Sequence, residues 1–452
     1  MTTKPNILIL FSDQHARRFS GCYGHPVVRT PNLDRLASSG LRFEGAVCNS
    51  PLCGPSRMAL MTGQRVSTIE IWDNNLTLGS DVRTLGHRLN DAGYETALCG
   101  RMHFNGADKL HGFHQQLAND PEANASIPNW AAGGEVPEHS LTAEVMAKRP
   151  KVGDGYPDDD VAADRAVTFL REHADSEKPW AMVVGFKHPH GPWNAEQRYW
   201  DLYDEREIDM PAPMGPADNH PIHERNRRLR QMPEAGYPEE VVRRNRHGYY
   251  AVISRMDDKV GQVLDALEAS GARENTIVVY ISDHGEMLGE HGLWMKSAMF
   301  EESIGVPMIF SGPGIPEGTC DKNLSLIDLT ATLCDLAGAD TKGMDGRSFR
   351  CLVDGVGEWD NMSLSEHFAT WTDRPLAALR RANYKLIAGY QEAPQLFDLE
   401  ADPREEKDLA GAPAFAEIRK ALADELASIW DAKALHNRIV DSQQTRIRKS
   451  AS

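Results

Sequence analysis

Two pairs of polar residues and one cysteine are the side chains whose types and spacing could do chemistry together. Asp13 and Gln14 follow one apolar run, Asp283 and His284 follow another, and Cys53 opens a C-x-P-x-R pattern. Two carboxylates, an amide oxygen and an imidazole can hold a divalent cation, which would withdraw charge from a sulfuryl or phosphoryl oxygen. A thiol near a helix start and beside an arginine suits a nucleophile, with an inert buried thiol as the alternative. Together the three segments favour a metal centre with a reactive group.

The elements that must position these residues are strands of a largely parallel sheet. Short β-branched apolar runs alternate with amphipathic patterns, and such runs are typical of strands that helices cover on both faces. We expect strands at 6–11, 96–99, 180–186, 276–281 and 307–310, and helices at 30–37, 161–173 and 246–270. Ligands of open α/β sheets bind beyond the carboxyl ends of the strands, which is where the polar residues fall.

The pattern changes after residue 350, so we expect a catalytic α/β domain at 1–350 and a smaller α+β subdomain at 351–433. In the subdomain, alternating segments predict a small antiparallel sheet, and a helix should pack on it. The predicted segments are 362–367, 379–387 and 395–399 for the sheet and about 413–433 for the helix. The basic, polar tail at 434–452 is expected to be disordered or to contact a neighbouring subunit.

Composition narrows the class of protein. The 452 residues are 41% apolar and carry a net charge of −17, which repels nucleic acid and anionic membranes, so we expect neither as a partner. Seven cysteines without paired spacing indicate reduced thiols rather than a disulfide framework. The first residues lack the pattern of a secretory signal, and no apolar run approaches the ~20 residues of a membrane span. We therefore expect a cytoplasmic protein.

The opening run 6–15, the C-x-P-x-R pattern and the Ser-Asp-His-Gly-Glu segment at 282–286 resemble the type I sulfatases of the alkaline phosphatase superfamily. The Asp-Gln and Asp-His pairs are most similar to its choline-sulfatase and phosphonate monoester hydrolase branch, and the resemblance runs from about residue 4 to the 410s. It implies an alkaline-phosphatase-like fold: a large, mostly parallel sheet with helices on both faces and a small C-terminal α+β subdomain. It also implies that a formylglycine-generating enzyme oxidises Cys53 to formylglycine (3-oxoalanine), which is hydrated to a geminal diol.

The resemblance further implies a ligand set and roles for single residues. One divalent metal, Ca²⁺ by preference with Mn²⁺ or Mg²⁺ as alternatives, would be held by Asp13, Gln14, the group derived from Cys53, Asp283 and His284. Arg57 would hold the diol, His103 would bind sulfate or polarise the diol, and Lys296 would bind sulfate and help protonate the leaving oxygen. His190 would bind the ester oxygen and act as general acid. Asn74 and His188 are candidate substrate-binding residues, with a structural role for His188 equally open. Arg101 replaces a lysine that is usual in the family, and we expect it to clamp the anionic ester.

The function expected from this set is hydrolysis of a small organic sulfate monoester by a homo-oligomer, dimeric or tetrameric. Choline, alkyl, aryl and sugar sulfates all remain candidate substrates. A phosphonate monoester hydrolase or phosphodiesterase with the same site is the alternative, since sulfate and these phosphorus monoanions share charge and shape. A superfamily mutase would need a coded Ser or Thr nucleophile, which Cys53 argues against. A relative that has lost its chemistry is the remaining alternative.

Overall fold

The computed structural model describes residues 4–120 and 150–450, and in these ranges a sheet of eight strands forms the centre. The strands are β1 (Asn6–Asp13), β2 (Leu41–Val47), β3 (Glu95–Gly100), β4 (Gln115–Ala118), β5 (Trp180–Pro189), β6 (Thr276–Ser282), β7 (Met308–Ser311) and β8 (Gly318–Ser325). Their order is β4-β3-β5-β1-β6-β7-β2-β8. β7 pairs antiparallel with β6 and β2, and every other pair in this sheet is parallel.

Helices cover both faces of this sheet, which confirms the expected α/β fold. Alternate side chains of β1 enter two different cores: Ile7 and Phe11 pack on one face, and Leu8 and Leu10 pack on the other. The α-helices are Pro31–Ser38, Cys53–Thr62, Val66–Ile69, Leu85–Asp91, Pro157–Glu172, Gln197–Trp200, Pro221–Leu229, Glu239–Ala269, Glu301–Ile304, Leu326–Ala337, Arg350–Asp354, Ala416–Ile429 and Ala432–Ser450. No helix in the described ranges is long and apolar enough to cross a bilayer.

All five predicted strands of the large sheet are present, but the sequence pattern missed three others. β2 alternates apolar and polar residues and lies between β7 and β8, so it lacks the continuous apolar run used to find its neighbours. β4 and β8 are the two edge strands of the sheet, and exposed positions in them weaken the apolar signal. The missed strands therefore belong to the half-buried class that periodicity identifies poorly.

The small C-terminal sheet is antiparallel, as expected, with four strands in the order β12-β11-β10-β9. These strands are β9 (Met362–His367), β10 (Leu376–Arg381), β11 (Tyr384–Gly389) and β12 (Gln395–Asp398). The single segment predicted at 379–387 was wrong, because it is a hairpin of β10 and β11. Ala382 turns the chain there with a φ of 51°.

The expectation of a disordered tail was also wrong. Residues Ala432–Ser450 form a helix, and the helix predicted at about 413–433 ends at Ile429 instead. Leu435 and Ile439 are buried in the same apolar cluster as the small sheet, so the tail packs on its own chain. Its lysines and arginines made it look like a solvated segment, although its apolar positions recur with a helical period.

Candidate active site

The carboxyl ends of four parallel strands supply the site. Asp13 ends β1, and Asp283 directly follows β6. Gly100 ends β3 just before Arg101, and Lys187 and His188 are among the last residues of β5. β1 and β6 are neighbours in register, with Ser12 opposite Ser282, so their final polar residues emerge side by side. The expectation that polar residues cluster at one edge of the sheet is confirmed.

Cys53 enters this edge from the first position of helix Cys53–Thr62, which is buried along its whole length. The Cys53 Sγ lies 3.1 Å from His284 Nε2 and 3.8 Å from Asp13 Oδ1. Ligand atoms of Asp13, Cys53, Asp283 and His284 all lie within 4.8 Å of one another, and all four residues are buried. Two carboxylates and an imidazole at this spacing form a donor set that fits a divalent cation.

Two buried arginines neutralise the carboxylates of this set. Arg57 donates from Nε to Asp283 Oδ2 at 2.8 Å and from Nη2 to Asp13 Oδ2 at 3.2 Å. Arg101 donates from Nε to the same Asp13 oxygen. We expected Arg57 to hold the nucleophile and Arg101 to clamp the ester; in the structure both bind carboxylates. They fix the Asp13 and Asp283 side chains while Oδ1 of each stays turned toward the cluster.

The surrounding charges set the ionisation of the cluster. Burial alone would raise the pKa of Asp13, but neighbouring cations, Arg101 foremost, hold it well below its usual value. Burial likewise disfavours a Cys53 thiolate, yet Lys296 and His284 lower the pKa of this thiol. For His284, burial opposes the charged form, whereas Asp283 raises its pKa. The positive charge around the cluster therefore favours anions at its centre.

Asn74 and His103 flank the start of the cysteine helix. Asn74 Oδ1 accepts the backbone N–H of Gly54 at 2.8 Å, so this side chain is fixed one residue from Cys53. His103 Nε2 lies 3.3 Å from the Asn74 carbonyl oxygen, and its Nδ1 lies 3.4 Å from Arg101 Nη2. Burial, reinforced by Arg101, lowers the pKa of His103 to about 4, so the imidazole is neutral at pH 7.

The two histidines at the end of β5 occupy different surroundings. His190 is half-buried, and its Nδ1 lies 2.8 Å from the Gly191 carbonyl oxygen, which leaves Nε2 as the other ring atom for a ligand. Burial and the nearby Lys187 hold the pKa of His190 well below its usual value. The His188 Nδ1, in contrast, lies 3.3 Å from Asp159 Oδ2 in helix Pro157–Glu172. Asp159 is thus a charged neighbour of the His188 ring on the Nδ1 side.

Lys296 and Gln14 complete the site on the side of β1. The Lys296 ammonium donates to Gln14 Oε1, and the backbone N–H of Gln14 donates to Asp283 Oδ1 at 2.9 Å. Gln14 has a φ of 69°, and Met295 and Ser297, on either side of Lys296, have φ values of 68° and 71°. Left-handed backbone at non-glycine residues is uncommon and costs energy, and it concentrates at functional sites.

A sequence model of the sulfatase family matches residues 5–339, which carry this whole constellation. The chain belongs to the sulfatase family. A second model, described as the C-terminal part of N-sulphoglucosamine sulphohydrolase, matches residues 289–432 of this sulfatase. The resemblance inferred from the motifs is confirmed, and so is the assignment of the chain as a hydrolase of the sulfatase type.

Relatives and solved structures agree with this placement. The sulfatase is 36% identical to choline-sulfatase of Rhizobium meliloti (strain 1021) over 466 aligned residues, covering 99% of this chain and 91% of the relative. The phosphonate monoester hydrolase of Agrobacterium radiobacter has a TM-score of 0.75 at 22% identity, covering 96% of both chains. The enzyme from Silicibacter pomeroyi has a TM-score of 0.77 at 22% identity, covering 94% of both. These two structures show a shared alkaline-phosphatase-like fold.

Three buried or half-buried residues of this sulfatase site had been given no role from the sequence. Lys187 lowers the pKa values of Asp13 and His190, and Asp120 accepts the backbone N–H groups of Met102 and His103. Glu286 accepts from the Gln14 amide. The signal for Glu286 was present in the motif at 282–286, where it is a charged residue that turns out to be fully buried. Asp120 had no local signal.

Proposed function

We propose that this sulfatase hydrolyses the sulfate monoester of a small organic alcohol and uses a formylglycine made from Cys53. The observation that carries the proposal is the position of Cys53 Sγ, in one 4.8 Å cluster with Asp13, Asp283 and His284. A buried thiol among carboxylates would serve no purpose in packing. As the precursor of a nucleophile beside a divalent cation, its place is explained.

The residues that would hold the cation are Asp13, Asp283, His284 and the oxygen of Gln14, and the group derived from Cys53 would complete the set. Their oxygen-rich chemistry suits Ca²⁺, Mn²⁺ or Mg²⁺. When bound, such a cation polarises sulfuryl oxygens and lowers the pKa of a neighbouring hydroxyl. The hydrate of a formylglycine at position 53 would supply two hydroxyls. One would bond to sulfur as the bond from sulfur to the alcohol oxygen breaks, and ionisation of the other would then expel sulfate and restore the aldehyde.

The protein's own cations then bind and orient the anionic ester. Lys296 and Lys187 place ammonium groups at the site, and charge-assisted hydrogen bonds to sulfate oxygens are strong in such a buried setting. Because burial and Lys187 hold the pKa of His190 well below its usual value, its imidazole is neutral at pH 7 and lacks the extra proton that the expected general-acid role requires. We therefore assign protonation of the leaving alcohol oxygen to Lys296.

The relatives, rather than the residues of the site, narrow the range of candidate alcohols in the sulfate ester. The similarity to a choline-sulfatase makes choline sulfate the first candidate among small alkyl sulfates. Hydrolysis of phosphonate monoesters or phosphodiesters is the second candidate function. Its support is the excess of cations around the cluster, which would stabilise a phosphorus monoanion as well as a sulfate monoanion.

The test combines peptide mass analysis with turnover. Protein produced with a formylglycine-generating enzyme should show a loss of about 18 Da at Cys53, the difference between a thiol and an aldehyde. The buried Cys48 is an internal control and should keep its thiol mass. Hydrolysis of choline sulfate, 4-nitrophenyl sulfate and a phenylphosphonate ester, compared as kcat/KM, then ranks the substrates. An oxidised Cys53 without turnover of any sulfate ester would overturn the proposal.

A further inference from the structure

We propose that Glu286 is a positioning residue that turns the amide oxygen of Gln14 toward the metal site and Lys296. The inference rests on the proposed function, because it assigns a purpose to a neighbour of the proposed metal ligands. Glu286 is 0% exposed and lies two residues after His284. Burying a carboxylate costs folding free energy unless hydrogen bonds compensate it. The hydrogen bonds of Glu286 therefore indicate what it holds in place.

Glu286 connects the residue that follows β1 with two positions of its own loop. Its Oε1 accepts the backbone N–H of Leu288 at 2.9 Å and that of Met295 at 2.6 Å. Its Oε2 accepts from the Gln14 amide nitrogen. The Met295 contact fixes the backbone next to Lys296, and the Gln14 contact fixes the residue after Asp13. One carboxylate therefore fixes the position of Gln14 relative to the backbone beside Lys296.

The chemistry of the partners decides which way the amide points. A glutamine side chain has one donor end and one acceptor end of nearly equal size, so shape alone does not orient it. A carboxylate accepts and a lysine ammonium donates. With Glu286 on one side and Lys296 on the other, the nitrogen must face Glu286 and Oε1 must face Lys296. The reverse orientation would set donor against donor.

This orientation matters because only the oxygen of an amide is a ligand for a hard cation. Without an acceptor at position 286, the Gln14 amide could turn over and present its NH₂ group to the site. Partners of metal ligands typically contribute about 10- to 100-fold to metal affinity. We therefore expect Glu286→Gln to weaken Ca²⁺ and Mn²⁺ binding by about tenfold or more. Calorimetric titration of the metal-free protein measures this directly.

The matched control is Glu290→Gln. Glu290 lies in the same loop, is 2% exposed and pairs with Arg246 at 3.2 Å and Arg404 at 3.0 Å, away from Gln14. It should lower stability while leaving metal affinity within about twofold of wild type. The decisive variant exchanges the two groups, Gln14→Glu with Glu286→Gln. The amide at 286 then donates to the carboxylate at 14, which keeps an oxygen toward the site, and metal affinity should return to within about threefold of wild type.

The outcomes separate this inference from the proposed function. If wild type binds neither Ca²⁺ nor Mn²⁺, the metal part of the proposed function fails together with the inference. Wild-type binding with equal affinity in Glu286→Gln would overturn the inference alone. If Glu286→Gln does not fold, the exchanged double variant carries the test, because it retains the hydrogen bond. Loss of metal affinity in a folded double variant would then contradict a positioning role.

Discussion

Two buried clusters of charge in this molecule resemble each other in composition and differ in geometry. At the catalytic edge, Asp13 and Asp283 lie against Arg57. At the junction with the small sheet, Glu301 lies against Arg17 at 2.9 Å and Lys385 at 3.1 Å. Residues of both clusters are deeply buried, and a cavity of about 490 Å³ borders the second cluster rather than the first. Buried charge alone therefore does not distinguish the two clusters.

The two clusters differ in the direction of the carboxylate oxygens that no arginine or lysine of the described ranges contacts. In the catalytic cluster the arginines occupy Oδ2 of each aspartate, and the remaining oxygens converge with a thiol and an imidazole within 4.8 Å. In the second cluster, Lys385 contacts both Glu301 and Glu405, and Glu405 also accepts the backbone N–H of Glu301 at 2.7 Å. The second cluster joins two sheets, whereas the first leaves a place for a ligand.

The largest expected effect comes from removing the nucleophile precursor. Cys53→Ala should lower kcat for 4-nitrophenyl sulfate by about 10⁴-fold or more, because the reacting group disappears while the carboxylates and arginines stay. Cys48→Ala is the matched control, since Cys48 is a buried thiol with no ligand atom in the cluster. It should retain wild-type kcat. Substantial turnover by Cys53→Ala would place the reaction elsewhere in the molecule.

Breaking the second cluster should act on stability instead. Lys385→Met leaves Glu301 and Glu405 buried with less positive charge, and breaking a buried ion pair typically costs about 3–5 kcal/mol of unfolding free energy. Urea denaturation measures the loss, and kcat/KM of the folded protein should stay near wild type. The exposed Lys420, which pairs with Asp424 on its helix, provides Lys420→Met as a control without measurable change. A large loss of activity with unchanged stability would erase the distinction between the clusters.

The sequence was sufficient to predict that Asp13, Cys53 and Asp283 lie together, because the signal of each is local. Asp13 and Asp283 directly end or follow continuous apolar strands, and the C-x-P-x-R pattern opens a buried helix. The second cluster left no such signal, because Lys385 and Glu301 lie 84 residues apart on elements with no shared motif. The carboxylate contacts of Arg57 and Arg101 left no local signal for the same reason. Which carboxylate an arginine meets depends on tertiary packing, and Arg101 meets a residue 88 positions away.

Glu366, a buried acid whose pKa is raised, provides a further comparison with the catalytic cluster through the pH dependence of stability. Burial raises the pKa of Glu366, on β9, to about 7, in contrast to the lowered pKa of Asp13. Between pH 4.5 and 7 the folded state binds this proton more tightly than the unfolded chain does, so stability falls as pH rises. Glu366→Gln removes that loss. Relative to wild type, it should gain about 2–3 kcal/mol of unfolding free energy between pH 5 and 8.

The control for this pH effect is Glu400→Gln, because Glu400 is exposed. Denaturation midpoints of wild type and both variants at pH 5, 6, 7 and 8 measure the difference. The Glu400→Gln difference should be constant over this range. If the difference in denaturation midpoint between Glu366→Gln and wild type were also constant, burial would not raise the pKa of Glu366.

The smallest expected effect concerns the C-terminal helix Ala432–Ser450. It tests whether this helix influences the cluster around Cys53 or only packs on the small sheet. Arg446, in that helix, donates to Asp73 Oδ1 at 3.1 Å and Oδ2 at 2.7 Å, and Asp73 is 2% exposed. The next residue, Asn74, is the one that accepts from Gly54 beside Cys53. The helix is thus linked to the start of the cysteine helix through one ion pair and one side chain, although it packs on the small sheet.

Because Arg446 is 22% exposed at its side chain, the ion pair is worth about 1 kcal/mol, which corresponds to roughly fivefold in kcat/KM if all of it positions Asn74. Arg446→Leu should therefore lower kcat/KM about fivefold with little change in urea midpoint. Arg448→Leu, at an exposed site two residues on, should change neither. Equal behaviour of the two variants in kcat/KM would mean that the helix only covers the small sheet. A loss of kcat/KM in Arg446→Leu alone would mean that the C-terminal helix influences the cluster around Cys53, because the packing of that helix does not depend on the charge of Arg446.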